Sequence, residues 1–266
     1  MKRILYLAVL VLAATACNKE ERPVQSAVSD ARAIRLKEMV SEGLPSPYFH
    51  FTYDNNNFIT KLQHASGLLQ YDLHYENSRL VSMVNNTMAN KDTLQYYYAD
   101  NRVSRIDLIE ANGTRTKTAE LHYDDQQRLH QIVWKKMNAD YSASIIRKLV
   151  FRYNQQNISQ FQDYRSMGNG LELLKTHYFE QYDDKVNVES NFLVKDVFEH
   201  FLFLPQVQLQ KNNPLSEKIV GQQNDWHITY NYTFHNGLPA TKTAEIRQTR
   251  GVGSGDSIMS VTSYNY

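Results

Sequence analysis

The chain has little of what staples or punctuates a fold. A single cysteine among 266 residues excludes an intrachain disulfide. Six prolines and ten glycines leave long stretches free of breakers. Lys and Arg together number 29 and Asp and Glu 28, and the resulting net charge of +1 gives no electrostatic footprint for nucleic acid. No nucleophile elbow, phosphate loop, His-Glu-x-x-His helix or dinucleotide fingerprint is present. None of the nine histidines is spaced as a ligand pair on one element, so neither a metal nor a cofactor is expected. These absences point to a non-catalytic role.

What the chain has is tyrosine, 18 in all, in a recurring pattern. From Leu69 to Thr87, residues Leu69, Tyr71, Leu73 and Tyr75 alternate with Gln70, Asp72 and His74. A period of two puts the apolar set on one face of a strand. Glu76, Asn77 and Ser78 supply turn chemistry, and Arg79 to Val84 is the returning strand of a hairpin. The signature recurs as a Tyr, then acidic or amide residues, then an aliphatic. Examples are Tyr53 with Ile59, Tyr98 with Val103, Tyr123 with Leu129, Tyr153 with Ile158, Tyr182 with Val186 and Tyr232 with Leu238. The anchors from Tyr53 to Tyr182 lie 22 to 30 residues apart, room for two strands and their turns. Within each unit the apolar residues after the turn come three apart, as in Leu80/Met83, Val103/Ile106 and Leu129/Ile132. An odd step breaks strand alternation and predicts a bulge or a strong twist at that level.

Tyr123-Asp124 followed by Arg128-Leu129 resembles the YD-type repeats of Rhs and wall-associated proteins, which usually place Gly where this chain has Gln127. Over residues 34 to 266, and together with the leader described next, the chain is similar to Bacteroidota lipoproteins carrying an uncharacterised domain with a porin-like fold. That resemblance implies a β-barrel-like architecture and brings no site residues.

Residues 1–16 read as a lipoprotein signal peptide: Lys2 and Arg3, an apolar run from Ile4 to Ala14, and Ala14-Thr15-Ala16 before Cys17. The run is too short to span a bilayer. Cys17 is the expected lipidation site, an anchor worth about 0.8 kcal/mol per buried methylene. Asn18-Lys19-Glu20-Glu21 resembles the export signal of Bacteroidota surface lipoproteins, and 17–33 reads as a tether. The expected location is the outer membrane, lipid-anchored, at the cell surface.

Residues 34–266 read as one all-β domain, an antiparallel meander of 14 or more strands curled into a barrel-like or half-barrel sheet. Ala31 to Val40 is read as its first strand, and Ser257 to Tyr266 as its last. Asn191 to Leu204 breaks the pattern. Val194, Val197, Phe198 and Phe201 fall at helical spacing before Pro205, which predicts an apolar helix over 191–204 packed on the sheet as a plug or lid. His74, Tyr97, His122 and Arg152 could share a cross-sheet row with Thr52, Gln181 and Asn231, and as a lumen lining would suit a glycan. Asp54, Asp124, Asp125, Asp183 and Asp184 each sit at an expected turn, where Asp serves the backbone. The leading function is a surface-anchored binding or structural lipoprotein with a glycan or protein ligand. The alternatives are a periplasm-facing carrier of an apolar ligand between sheet and helix, and an integral outer-membrane barrel.

Overall fold

A computed structural model describes residues 34–88, 90–140, 142–168, 170–190 and 202–266. Sixteen strands follow one another: β1 (Glu38–Ser41), β2 (Phe49–Tyr53), β3 (Ile59–His64), β4 (Gln70–Glu76), β5 (Arg79–Asn85), β6 (Thr93–Ala99), β7 (Arg102–Ile109) and β8 (Arg115–Tyr123) form the first half. The second half is β9 (Leu129–Met137), β10 (Ala143–Asn154), β11 (Asn157–Ser166), β12 (Leu171–Val186), β13 (Asn212–Gly221), β14 (Asp225–His235), β15 (Leu238–Arg250) and β16 (Ser257–Asn265). Every strand pairs with its chain neighbours, and β1 pairs antiparallel with β16, from Glu38↔Asn265 to Ser41↔Thr262. The sheet is therefore a closed barrel, not the half-barrel that the sequence left open. The first strand is shorter than read, since residues 34–37 are not strand.

The expected bulges are present. In β2–β3, β4–β5, β6–β7, β8–β9, β10–β11 and β14–β15 the register slips by one residue just after the turn. The extra residues are Thr60, Val81, Ser104, His130, Ser159 and Ala240. In the first five of these, the slip restores the aliphatic before it and the apolar residue after it to the same face, which is why the odd spacing is compatible with burial.

The anchor tyrosines have a bonding role that the pattern did not disclose. Tyr98 donates its hydroxyl to the carbonyl of Leu80 at 2.8 Å, Tyr123 to that of Val103 at 2.8 Å, Tyr153 to that of Leu129 at 2.7 Å and Tyr182 to that of Ile158 at 2.5 Å. Each acceptor is the aliphatic of the hairpin before, so these four units are clasped to their predecessors. Arg79, Arg102 and Arg128, one residue ahead of those aliphatics, lie over the rings of Tyr98, Tyr123 and Tyr153. The same clasp flanks the closing pair, with Tyr53 bonded to the Leu36 carbonyl and Tyr266 to that of Pro239, both at 2.8 Å.

The turns between clasped strands form one rim. Asp54 and Asp124 each accept backbone N–H groups two and four residues on, and Asp124 also holds the Arg128 guanidinium at 2.7 Å. Gln127, where the repeats that this chain resembles carry Gly, has φ +67°. That is the left-handed region in which a side chain is costly.

Burial assigns the faces. Phe51, Leu62, Tyr71, Leu80, Met83, Leu94, Ile106, Leu129 and Ile132 point inward and are almost wholly buried. They pack on a chain segment that enters the barrel between β12 and β13. The outward face carries residues such as Lys61, Asp72, Gln95, Arg105, Glu120, Lys135 and Lys148.

Burial pushes the Tyr53 and Tyr98 phenols from an ordinary 10.0 up to about 12. A raised pKa keeps its contribution to stability below pH 10 and loses it as pH climbs from 10 through 12. Alkaline titration followed at 295 nm and by circular dichroism should show the clasped phenols ionising late, with loss of the fold over that window. Tyr153→Phe deletes one clasp without opening a cavity and leaves the Leu129 carbonyl unpaired. Urea denaturation should register a loss of about 1–2 kcal/mol. Ile132→Ala, at a site with no exposure, should cost about 2–5 kcal/mol.

Candidate functional site

A 16-stranded ring encloses more space than its own inward side chains fill. The chain between β12 and β13 supplies the filling. Leu202, Phe203, Leu204, Val207 and Leu209 are buried inside the barrel. Tyr96, itself wholly enclosed, donates to the Phe203 carbonyl at 2.8 Å. The segment turns at Pro205–Gln206, bridges back to β11 through Asn157↔Gln210, and then becomes β13. The sequence placed a helical plug at 191–204. Residues 191–201 lie outside the described residues, while Leu202–Leu204 are extended, and no helix occurs among the described residues. The Phe203 carbonyl accepts from Tyr96 on the barrel wall, and Pro205 opens the turn that follows.

The inner wall changes character along the chain. From β2 to β9 it is aliphatic and aromatic. From β10 onward it carries ion pairs and buried polar contacts. Arg147 makes a bidentate bond to Asp163, 2.9 Å on each arm, and lies over the Trp134 ring. His177 stacks on Phe161 at 4.0 Å, with Nδ1 at 2.5 Å from Glu217. Glu217 also accepts from the Tyr230 hydroxyl at 2.5 Å. Near the rim, Glu189 accepts from Lys242 at 2.7 Å and from the Tyr264 hydroxyl at 2.7 Å. Burial, reinforced by the neighbouring carboxylate, holds the Tyr230 and Tyr264 phenols far above their ordinary value. They stay neutral donors at any physiological pH. The sequence reading did not flag Arg147, Asp163, His177, Glu189, Glu217 or Lys242. A signal existed for some of them: Arg147 is in phase with Leu149 and Phe151, and Asp163 with Phe161, so a charge sits where the alternation calls for an apolar residue.

Two clefts open at the tyrosine rim, on either side of the Pro205–Gln208 turn. One lies against β2 to β6, lined by Leu36, Phe51, Ile59, Leu80, Val188 and Phe203 among others, with a volume of about 1100 Å³ including its open mouth. Tyr53 and Tyr98 also face it. Because their hydroxyls are committed to backbone carbonyls, they offer it ring carbon rather than hydrogen-bonding capacity. The other cleft, about 910 Å³ including its mouth, lies against β7 to β11, where Val103, Tyr123, Leu129, Tyr153 and Val207 form its apolar part and Gln126, Gln127, Gln156, Gln206 and Gln208 its amides.

The candidate row read from the sequence does not line the lumen. His74, Tyr97, His122 and Arg152 alternate with the inward Leu73, Tyr96, Leu121 and Phe151, and all four are exposed on the outer wall. Nor do they form a row. His74 is opposite Ser82, and Ser82 is opposite Gln95, two residues short of Tyr97, so the set climbs the barrel as a staircase. Period-two alternation fixed which residues share a face and left open which face closes inward. Tyr97 stacks under Arg105 at 3.9 Å. Asp183 bonds the backbone N–H and side chain of Asn213, and Asp184 pairs with Lys185. Among the described residues no three His, Cys, Asp or Glu side chains converge as a metal site. Cys17 and Asn18, Lys19, Glu20 and Glu21 lie outside the described residues.

No protein-family profile matches the chain, and no curated protein matches it. Two solved structures share its fold. One is a porin-like protein from Bacteroides uniformis, 12% identical, with TM-score 0.55 over 82% of this chain and 88% of that one. The other is a porin-like protein from Bacteroides vulgatus, also 12% identical with TM-score 0.55, over 88% of this chain and 99% of that one.

Asp163→Asn should destabilise the protein by about 3–5 kcal/mol, because Asp163 is the carboxylate that the buried Arg147 grips with two bonds and that Arg165 also faces at 3.7 Å. Replacing Arg147→Met together with Asp163→Leu should recover only part of that loss in the same denaturant titration, since Arg165 still loses its carboxylate.

Proposed function

We propose that this chain is a non-catalytic binding protein, held at the outer membrane by lipid on Cys17 and displayed at the cell surface through Asn18–Glu21. Its ligand has an apolar body that enters the cleft between the plug and β2 to β6. The observation that carries this reading is the chemistry of that cleft. Its barrel side is faced with Leu36, Phe51, Ile59 and Leu80 and with Tyr53 and Tyr98, whose hydroxyls are already bonded, so that side rewards apolar contact, while Asn57, Asn187 and Gln206 edge the mouth.

The wall of the barrel supports tethering over embedding. A lipid-facing barrel needs an apolar outward band. Here the outward positions hold Glu120 paired with Lys135 at 2.6 Å and Lys61 near Asp72, and mean hydropathy is −0.55. The apolar face is turned to the plug instead. An integral barrel is therefore the second reading, favoured only by the likeness in fold to the two porin-like proteins.

Purified protein should enhance the fluorescence of the neutral probe N-phenyl-1-naphthylamine. Val188→Trp, which fills the cleft, should weaken that binding at least tenfold with the melting temperature held. An unchanged titration would remove the cleft as the site. In cells, Cys17→Ala should release the protein from the membrane fraction. Protease shaving should degrade the parent and spare a Glu20→Ala/Glu21→Ala variant. A Cys17→Ala protein that resists carbonate extraction would favour the integral barrel.

A further inference from the structure

We propose that the second rim cleft, on the β7 to β11 side of the plug turn, binds an uncharged, hydroxyl-rich ligand, namely an oligosaccharide. The site is distinct from the apolar cleft, although the Pro205–Gln208 turn forms a wall of both. Its lining includes Gln126, Gln127, Gln156, Gln206 and Gln208. The side-chain amides of Gln126, Gln156, Gln206 and Gln208 make no hydrogen bond to any described residue. Each amide offers two N–H donors and a carbonyl acceptor, and a sugar hydroxyl both donates and accepts. A cation would need carboxylates, and none lines the cleft. An anion would need unpaired positive charge. Arg128 is neutralised by Asp124, and the remaining cation, Arg102, reaches the Gln127 side chain. The Arg128 guanidinium, stacked on Tyr153 at 4.6 Å, adds a flat platform beside the amides. An extended peptide is the less suitable occupant, because the closed wall leaves no unpaired strand edge for it to extend.

Backbone strain points to the same place. Among the described residues nine non-glycine residues have positive φ, and most are Asn, Asp or Ser at hairpin turns, where they are tolerated. The three glutamines among them are Gln127, Gln155 and Gln206, with φ +67°, +55° and +73°, and all three are at this cleft or next to it. Glutamine gains nothing locally from the left-handed region, and glycine would hold those turns at less cost. Gln127 has a structural use, as the acceptor for Arg102. Gln206 makes no such contact with a described residue and stands at the tip of the plug, where it borders both clefts.

The test is an array of neutral and acidic oligosaccharides probed with the full-length lipidated protein in detergent, followed by calorimetric titration of the strongest hit. Binding should fall on neutral sugars and change little between low and high salt. Gln206→Gly should keep or raise the melting temperature, since it relieves the left-handed strain, while weakening binding at least tenfold. Gln156→Ala should weaken binding similarly. Val188→Trp, in the apolar cleft, should leave sugar binding intact, so the two sites succeed or fail separately. Binding to no sugar, binding only to acidic sugars with steep salt dependence, or full binding by Gln206→Gly and Gln156→Ala would each overturn the proposal.

Discussion

The bond from a tyrosine hydroxyl to the backbone carbonyl of the hairpin before it is the contact on which this barrel depends. An antiparallel meander needs only nearest-neighbour pairing to exist, but pairing alone sets neither the level of each turn nor the curl of the sheet. The clasp sets both. It ties Tyr98, Tyr123, Tyr153 and Tyr182 to fixed points one hairpin back, and the arginine beside each of the first three acceptors covers the tyrosine ring. The bulge that follows each turn is the geometric companion of the clasp. It brings the acceptor aliphatic and the next core residue onto one face despite their odd spacing.

The order of the fold follows from that contact. Clasped hairpins put the turns that follow their tyrosines at one end, which makes a rim of tyrosine, arginine and amide groups. The inner wall beneath the rim begins as an apolar surface and becomes charged after β9. The plug matches the change. Leu202 to Leu209 meet aliphatic strands, whereas Glu189 meets Lys242 and Tyr264. The two rim clefts share bonded phenols, aliphatics and the Gln206–Gln208 edge, and differ in the further glutamines, Gln126, Gln127 and Gln156, that only the second one holds.

Much of this was legible in the residues. The Tyr-to-aliphatic pattern gives the hairpins, and the three-residue step gives the bulges, because both are consequences of alternation along one strand. Closure was not legible, since β1 and β16 meet by edge pairing and short strands carry no mark of their distant partner. The side that becomes the lumen was hidden for a related reason. His74, Tyr97, His122 and Arg152 read equally well as lumen or exterior until the apolar plug claims the other face. The interior charges are the converse case. Arg147 and Asp163 interrupt an apolar phase, and the bond between them crosses the β10–β11 pair, a fact of register rather than of local sequence.

The plug has a consequence for how such barrels can vary. Clasped hairpins are interchangeable units, so nothing in the wall itself limits the ring to sixteen staves. Duplicating a hairpin would add two strands, enlarge the girth, and leave Phe203 and its neighbours rattling in a space too wide for them. Deleting one would crush them. The inserted segment thus acts as a gauge. Changes in strand number can persist only when the stopper is recut to fit.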